Sequence, residues 1–302
     1  MEALLHIQGD ASSDLTPIFL VHAISGLALP YLSLGSLCNE SERPMYGISS
    51  PLYERKSYTL PPTLDSLAQE YVNLIQREVQ PHGPYLLGGW SMGGMIAIRM
   101  AALLESKGER VLHVILIDSA NPQKIPGFVR NEHNILTSLT FKFLSRGLVP
   151  ADRHEINSTG SDSSTVSEDD SDEYNDTDSS DYNDEDYFDD EVSVFEWLPR
   201  MRKHISNGLS LIACEDMAVA DGAVSAPVTL IKCGRLDKLP MALSDRRKNA
   251  IQKLFDDPNS GWELPQLRVL TIPNAAHDHI LDMEHAGELT TVMRTILDDI
   301  RR

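Results

Sequence analysis

With 302 residues, 41% of them hydrophobic, the chain is long enough for one large α/β domain or for one domain carrying a sizeable insertion. Its formal charge of -19 is concentrated: residues 157–191 hold fifteen Asp or Glu and no Lys or Arg, which leaves -4 for the rest and no basic stripe to engage nucleic acid. Cys38, Cys214 and Cys233 are too few and too widely spaced for a disulfide framework or paired zinc ligands. No segment approaches the ~20 apolar residues of a membrane span, and Met1 to Asp10 lack a secretory pattern, so the chain reads as soluble and intracellular.

In chain order, short apolar runs bounded by turn residues predict strands at Ile18 to Val21, Met45 to Ile48, Tyr85 to Leu87, Val111 to Ile117, Val228 to Lys232 and Leu267 to Ile272. Between the second and third, Leu64, Leu67, Tyr71, Leu74 and Ile75 recur at helical spacing, with Thr63 placed to cap the first turn. From Asn121 to about Ala226 there is no strand pattern. Apolar residues at Asn134 to Phe143 and Phe195 to Met217 suffice for helices, but Asn157 to Glu191 is low-complexity and too polar to offset its ordering entropy, so disorder is expected there. Leu289, Val292, Met293, Ile296, Leu297 and Ile300 predict a closing amphipathic helix. Strands alternating with helices point to a mostly parallel sheet covered on both faces.

The run Gly89-Trp90-Ser91-Met92-Gly93 stands between the apolar Tyr85-Leu86-Leu87 and the helix-compatible Met95 to Met100. Strand, sharp turn and helix are the context in which Gly-x-Ser-x-Gly presents a serine nucleophile in an α/β-hydrolase fold. Glycines at 89, 93 and 94 keep Cβ atoms out of the close strand and helix packing that such a turn demands.

A serine hydroxyl needs a positioned base, and the base needs an orienting acid. Two histidines in the loop before the last helix could be the base, His277 and His279, and spacing does not choose between them. Two aspartates end strands at the carboxyl edge of the sheet, Asp118 and Asp237, and at least one of them is a turn or cap residue. The oxyanion formed in acyl transfer needs two backbone N–H donors. Met92 supplies one, and the small-residue loop His22-Ala23-Ile24-Ser25-Gly26 should supply the other. His22 has no obvious acid partner and reads as structural.

Taken together, Pro17 to His22 with Gly26, Pro84 to Gly94 with its Gly-Gly-Trp-Ser-x-Gly-Gly core, Leu116-Ile117-Asp118-Ser119, and His277-Asp278-His279-Ile280-Leu281 resemble the thioesterase domains that end polyketide synthases and non-ribosomal peptide synthetases, and their stand-alone relatives. The resemblance spans both ends of the chain. It implies a single α/β-hydrolase domain over 1–302 and selects Asp118 over Asp237 and His277 over His279. It places the second oxyanion donor at Ile24, with Ala23 as near neighbour, and a helical lid at 121–226. The acidic segment 157–191 departs from the family pattern and leaves the triad residues untouched.

What the resemblance implies is hydrolysis or cyclising release of an acyl thioester, held on the phosphopantetheine arm of a carrier protein, in cytoplasmic polyketide or peptide secondary metabolism. The chemistry would use Ser91, His277 and Asp118 with no cofactor or metal. An alternative is a carboxylesterase or lactone hydrolase, since the same constellation cleaves oxygen esters. A different class of reading is a non-catalytic scaffold with the acidic segment as docking tail, and the presence of every triad candidate argues against it.

Overall fold

In the computed structural model, which describes residues 2–37, 43–146, 194–213 and 224–300, seven strands form one sheet in the spatial order Leu4–Gln8 (β1), Met45–Ile48 (β3), Ile18–Val21 (β2), Tyr85–Trp90 (β4), Val111–Ile117 (β5), Val228–Arg235 (β6) and Leu267–Ala276 (β7). Cys38, Cys214, the acidic segment 157–191 and the end of the helix expected over Phe195 to Met217 lie outside the described residues.

The predicted strands are all present: β2 (Ile18–Val21), β3 (Met45–Ile48), β4 (Tyr85–Trp90), β5 (Val111–Ile117), β6 (Val228–Arg235) and β7 (Leu267–Ala276). They pair in parallel. Strand β4 runs past Leu87 through Gly88, Gly89 and Trp90, and β5 leaves no room for a side chain at Gly88, where a Cβ would lie 2.7 Å from the Ile115 carbonyl oxygen. An additional strand that no apolar pattern predicts, β1 (Leu4–Gln8), pairs antiparallel with β3 at the sheet edge and has no fully buried residue.

Helices cover both faces. On one, α1 (Leu64–Glu78) and α2 (Met92–Ser106) bury Leu67, Tyr71, Ile75, Ile96 and Met100 against β2, β4 and β5. Thr63 caps α1 as expected, its Oγ1 accepting from Ser66 N at 3.1 Å. The buried Arg99 of α2 joins the two helices through Asp65 at 3.1 Å. On the other face α6 (Met283–Asp298) packs Leu289, Met293, Ile296 and Leu297 on Ile18, Leu20, Ile231 and Ile272.

Between β5 and β6 the chain leaves the sheet to form α3 (Arg130–Ser145) and α4 (Val194–Ile212), which share a small core of Leu136, Phe141, Met201, Ile205 and Leu209 with Leu27 and Tyr53. Between β6 and β7 comes α5 (Asp245–Asp256), capped by Ser244, where half of the residues are charged and the apolar ones are too few to give a long helical period. Among the described residues no helix is long and apolar enough to cross a membrane.

Candidate active site

Ser91 stands between the last residue of β4 and the first of α2, with φ 55° and ψ -122°. Its N–H still belongs to the sheet, donating to Ile117 O at 2.9 Å, while its carbonyl already accepts from Gly94 N at 3.1 Å. Chain direction therefore reverses within one residue, and the glycines around it make that feasible. A Cβ on Gly93 would sit 2.1 Å from Val21 O, one on Gly89 2.4 Å from the Gly93 carbonyl carbon, and one on Gly94 2.6 Å from Ser119 Cβ. A non-glycine residue at positive φ is costly and persists where surrounding structure dictates it.

Ser91 Oγ lies 3.0 Å from His277 Nε2, and His277 Nδ1 lies 2.7 Å from Asp118 Oδ2. His277 opens the tight turn that follows β7, and the Trp90 ring leans on it at 5.7 Å between centroids. Asp118 ends β5 at φ 42°, and its other oxygen, Oδ1, accepts from Cys233 N on β6 at 2.8 Å. Because Asp118 can only accept from Nδ1–H, neutral His277 carries its proton there and turns the lone pair of Nε2 toward Ser91.

The competing residues do not join this hydrogen-bonded chain, although Asp237 lines the larger cavity. His279 bonds Asp282 through Nδ1 at 2.7 Å, and Asp237 accepts from the backbone N–H of Asp278 at 3.4 Å.

Burial opposes charge on both partners of the His277–Asp118 pair, but the pair outweighs it. For His277, desolvation disfavours the imidazolium, whereas the hydrogen bond and charge of Asp118, with Asp278 and Asp237 behind it, hold its pKa above 6.5. For Asp118, desolvation favours the neutral acid, but His277 and the Cys233 N–H keep the carboxyl below its ordinary range. These are the electrostatics of a base that stays oriented and an acid that stays ionised.

Met92 is the first residue of α2 and buried, so its N–H belongs to the helix turn that has no intrahelical acceptor. The loop carrying Ala23, Ile24 and Ser25 forms one wall of a cavity of about 520 Å³ whose floor includes Ser91, Trp90 and His277. A second cavity, of about 340 Å³, opens on the same Ser91 and His277. It is bounded by Met95, Ile125, Phe128, Leu136, Ile212 and Leu254. Arg247 also lines it, stacked 4.1 Å from the Phe128 ring and paired with Glu132 at 3.4 Å. Thus Ser91 lies where two largely apolar chambers meet.

His22 is fully buried: Nδ1 donates to Ala23 O at 2.7 Å, and Nε2 accepts from Tyr71 OH at 2.5 Å. Burial, with His204 close by, pushes its pKa down to about 3, so it is a neutral structural element, as read from the sequence. The backbone support that Cys233 gives Asp118, and the approach of His204 to the loop after β2, left no mark in the sequence, because neither depends on a recognisable motif.

Comparison with known proteins identifies the family. The family described as Thioesterase domain matches residues 16–171. The chain is 39% identical over 321 aligned positions to thioesterase pytI of Aspergillus terreus, covering 99% of this chain and all of that one. A shorter stretch of 123 residues, 40% of this chain, is 39% identical to 6% of a non-reducing polyketide synthase of Gibberella zeae. Among solved structures, the NocB thioesterase domain in covalent complex with a fluorophosphonate nocardicin G analogue superimposes with a TM-score of 0.61 at 22% identity, covering 97% of this chain and 99% of that one, which shows a shared α/β-hydrolase fold. By the near-complete overlap with the Aspergillus terreus protein and the family match over half its length, this chain belongs to the thioesterase family.

Proposed function

We propose that the chain releases an acyl group from the phosphopantetheine thioester of a carrier protein in polyketide or peptide secondary metabolism, by hydrolysis or by cyclisation, with Ser91, His277 and Asp118 as its catalytic triad. The observation that carries this reading is the continuous hydrogen-bonded chain Ser91–His277–Asp118 at the junction of the two cavities. One cavity would take the acyl chain and the other the carrier's arm. The similarity to part of a polyketide synthase supports the polyketide branch. The proposed compartment is the cytoplasm, where a carrier would present its thioester.

In the first half-reaction Ser91 Oγ attacks the thioester carbonyl while His277 Nε2 takes its proton. The oxyanion is held by the N–H groups of Met92 and Ile24. Collapse breaks the C–S bond, and His277 returns the proton to the departing thiolate. In the second, His277 activates water, or a nucleophile of the acyl chain itself, to attack the acyl-Ser91 ester, and Ser91 leaves with the proton. We read residues 1–302 as one domain in which 121–226 is a lid, α3 and α4 being its described part.

The test is turnover of acyl N-acetylcysteamine thioesters beside matched oxygen esters, by the wild type and by Ser91→Ala. Faster cleavage of the thioester, lost in the variant together with the acyl-enzyme mass, is the expected result. Retained turnover in Ser91→Ala would refute the assignment of the nucleophile, and a preference for the oxygen ester would favour an esterase.

A further inference from the structure

Four consecutive carbonyls in the loop after β2 are each held by a hydrogen bond. Ala23 O accepts from His22 Nδ1 at 2.7 Å, Ile24 O from His204 Nδ1 at 3.0 Å, Ser25 O from Tyr53 OH at 2.5 Å, and Gly26 O from Ser50 N at 2.7 Å. Three of these donors follow β2 or β3 in the chain and belong to the core of the fold. The fourth, His204, belongs to α4, 180 residues further on.

The two histidines act on the peptide groups either side of Ile24. A peptide unit is planar, so holding the Ala23 carbonyl also aims the Ile24 N–H at its opposite edge. His22 does this from within the loop's own strand end. His204 holds the next plane, Ile24–Ser25, and with both planes held the φ and ψ of Ile24 have little freedom.

The contact between α4 and the loop is close at every point. The His22 and His204 rings meet edge to face at 4.9 Å. Gly26, at φ 80°, faces the His204 ring so tightly that a Cβ there would come within 2.7 Å of it. One turn along α4, a Cβ on Gly208 would lie 2.6 Å from Ile24 Cδ1 and 3.1 Å from Met92 Sδ. The helix therefore rests on both residues to which the oxyanion donors are assigned.

We propose that His204 is a positioning residue for the oxyanion hole: its hydrogen bond to Ile24 O ties the loop at residues 23–26 to helix α4 and, by holding the peptide plane after Ile24, steadies the Ile24 N–H carried by the plane that His22 holds. This rests on the reading of Ile24 as the second donor. The chemistry of the ring suits the task. Ile24 O can only accept, so Nδ1 bears the proton, and burial, which lowers the pKa of His204 to about 4, keeps the ring neutral. Nε2 is buried with no hydrogen-bond partner among the described residues, so the polar commitment of the side chain is to Ile24. Docking of α4 and readiness of the oxyanion hole become one event.

The test compares His204→Phe, which keeps an aromatic ring without the donor, with His204→Asn, whose side-chain amide places an N–H near the position of Nδ1. Each is made in the full chain and checked by thermal melting. The main readout is the rate at which a fluorophosphonate labels Ser91, because its phosphoryl oxygen gains charge in the oxyanion hole whatever the natural substrate is. Loss of alignment at one donor should slow labelling at least about tenfold in His204→Phe. His204→Asn should recover to within about threefold of wild type, and in thioester turnover the loss should fall on kcat with little change in KM. Labelling unchanged in both variants, or slowed equally in both, would overturn the proposal. If Phe prevents folding, His204→Leu takes its place in the same comparison. A wild type that labels but does not turn over thioesters would refute the proposed function while leaving the labelling comparison valid for His204.

Discussion

Asp118 and Cys233 face each other across β5 and β6, and the Cys233 N–H occupies Asp118 Oδ1 at 2.8 Å, leaving Oδ2 for His277. This bond fixes what an amide would do in place of the carboxylate. In Asp118→Asn the side-chain oxygen must turn to Cys233 N–H, which presents the NH2 group to His277 Nδ1. The imidazole then accepts at Nδ1 and carries its proton on Nε2, facing Ser91, where it can no longer act as a base. We predict a fall in kcat of about 10⁴-fold with little change in melting temperature, measured by steady-state thioester hydrolysis.

The pH profile should be displaced toward alkaline values. His277 works as a base only when neutral, and Asp118, Asp278 and Asp237 favour its charged form over the opposing effect of burial. Activity of the free enzyme should therefore rise with pH, with its midpoint above 6.5. Replacing Asp237 and Asp278 together by Asn removes two of the charges that raise the pKa. The midpoint should then move to lower pH, which kcat/KM against pH, or fluorophosphonate labelling against pH, will read directly.

Ala250 borders the smaller, apolar cavity together with Ile251, Leu254 and Phe255. We assign the acyl chain to this smaller cavity, and enlarging the side chain in Ala250→Phe should fill part of it. KM for long apolar acyl thioesters should rise by about tenfold while short acyl groups are handled as before, since a few buried methylenes contribute about 1–3 kcal/mol. Equal effects on short and long substrates would mean that the acyl chain occupies the larger chamber instead.

The parts of the fold legible in the sequence are those where one physical demand dominates. Strands β2, β4 and β5 are buried on both faces, so they read as continuous apolar runs, and the glycines around Ser91 are required by contacts as short as 2.1 Å. Strand β1 escaped notice because an edge strand, only partly buried, need be neither uniformly apolar nor strictly alternating. Helix α5 escaped because its first turn is Asp-Arg-Arg-Lys and its exposed face dominates the composition. The choices of Asp118 and His277 came from resemblance. Asp118 and Asp237 both follow parallel strands at one sheet edge, and what separates them is the turn of Asp118 at φ 42°, a property of backbone that residue order does not display. The link from His204 to Ile24 joins residues 180 positions apart without any motif, and only the packing of α4 reveals it.

The backbone of Ser91, at φ 55° and ψ -122°, has an implication for the resting protein. A side chain at that angle costs the folded state on the order of 1–3 kcal/mol, and the cost is incurred whether or not substrate is bound. Ser91→Gly should therefore melt at a higher temperature than wild type, with a net gain of about 1 kcal/mol after the added flexibility of the unfolded chain is counted. An inert version of this protein would be the sturdier one. Stability alone would favour glycine here, so the strain at this turn is the cost of presenting the hydroxyl of the proposed nucleophile.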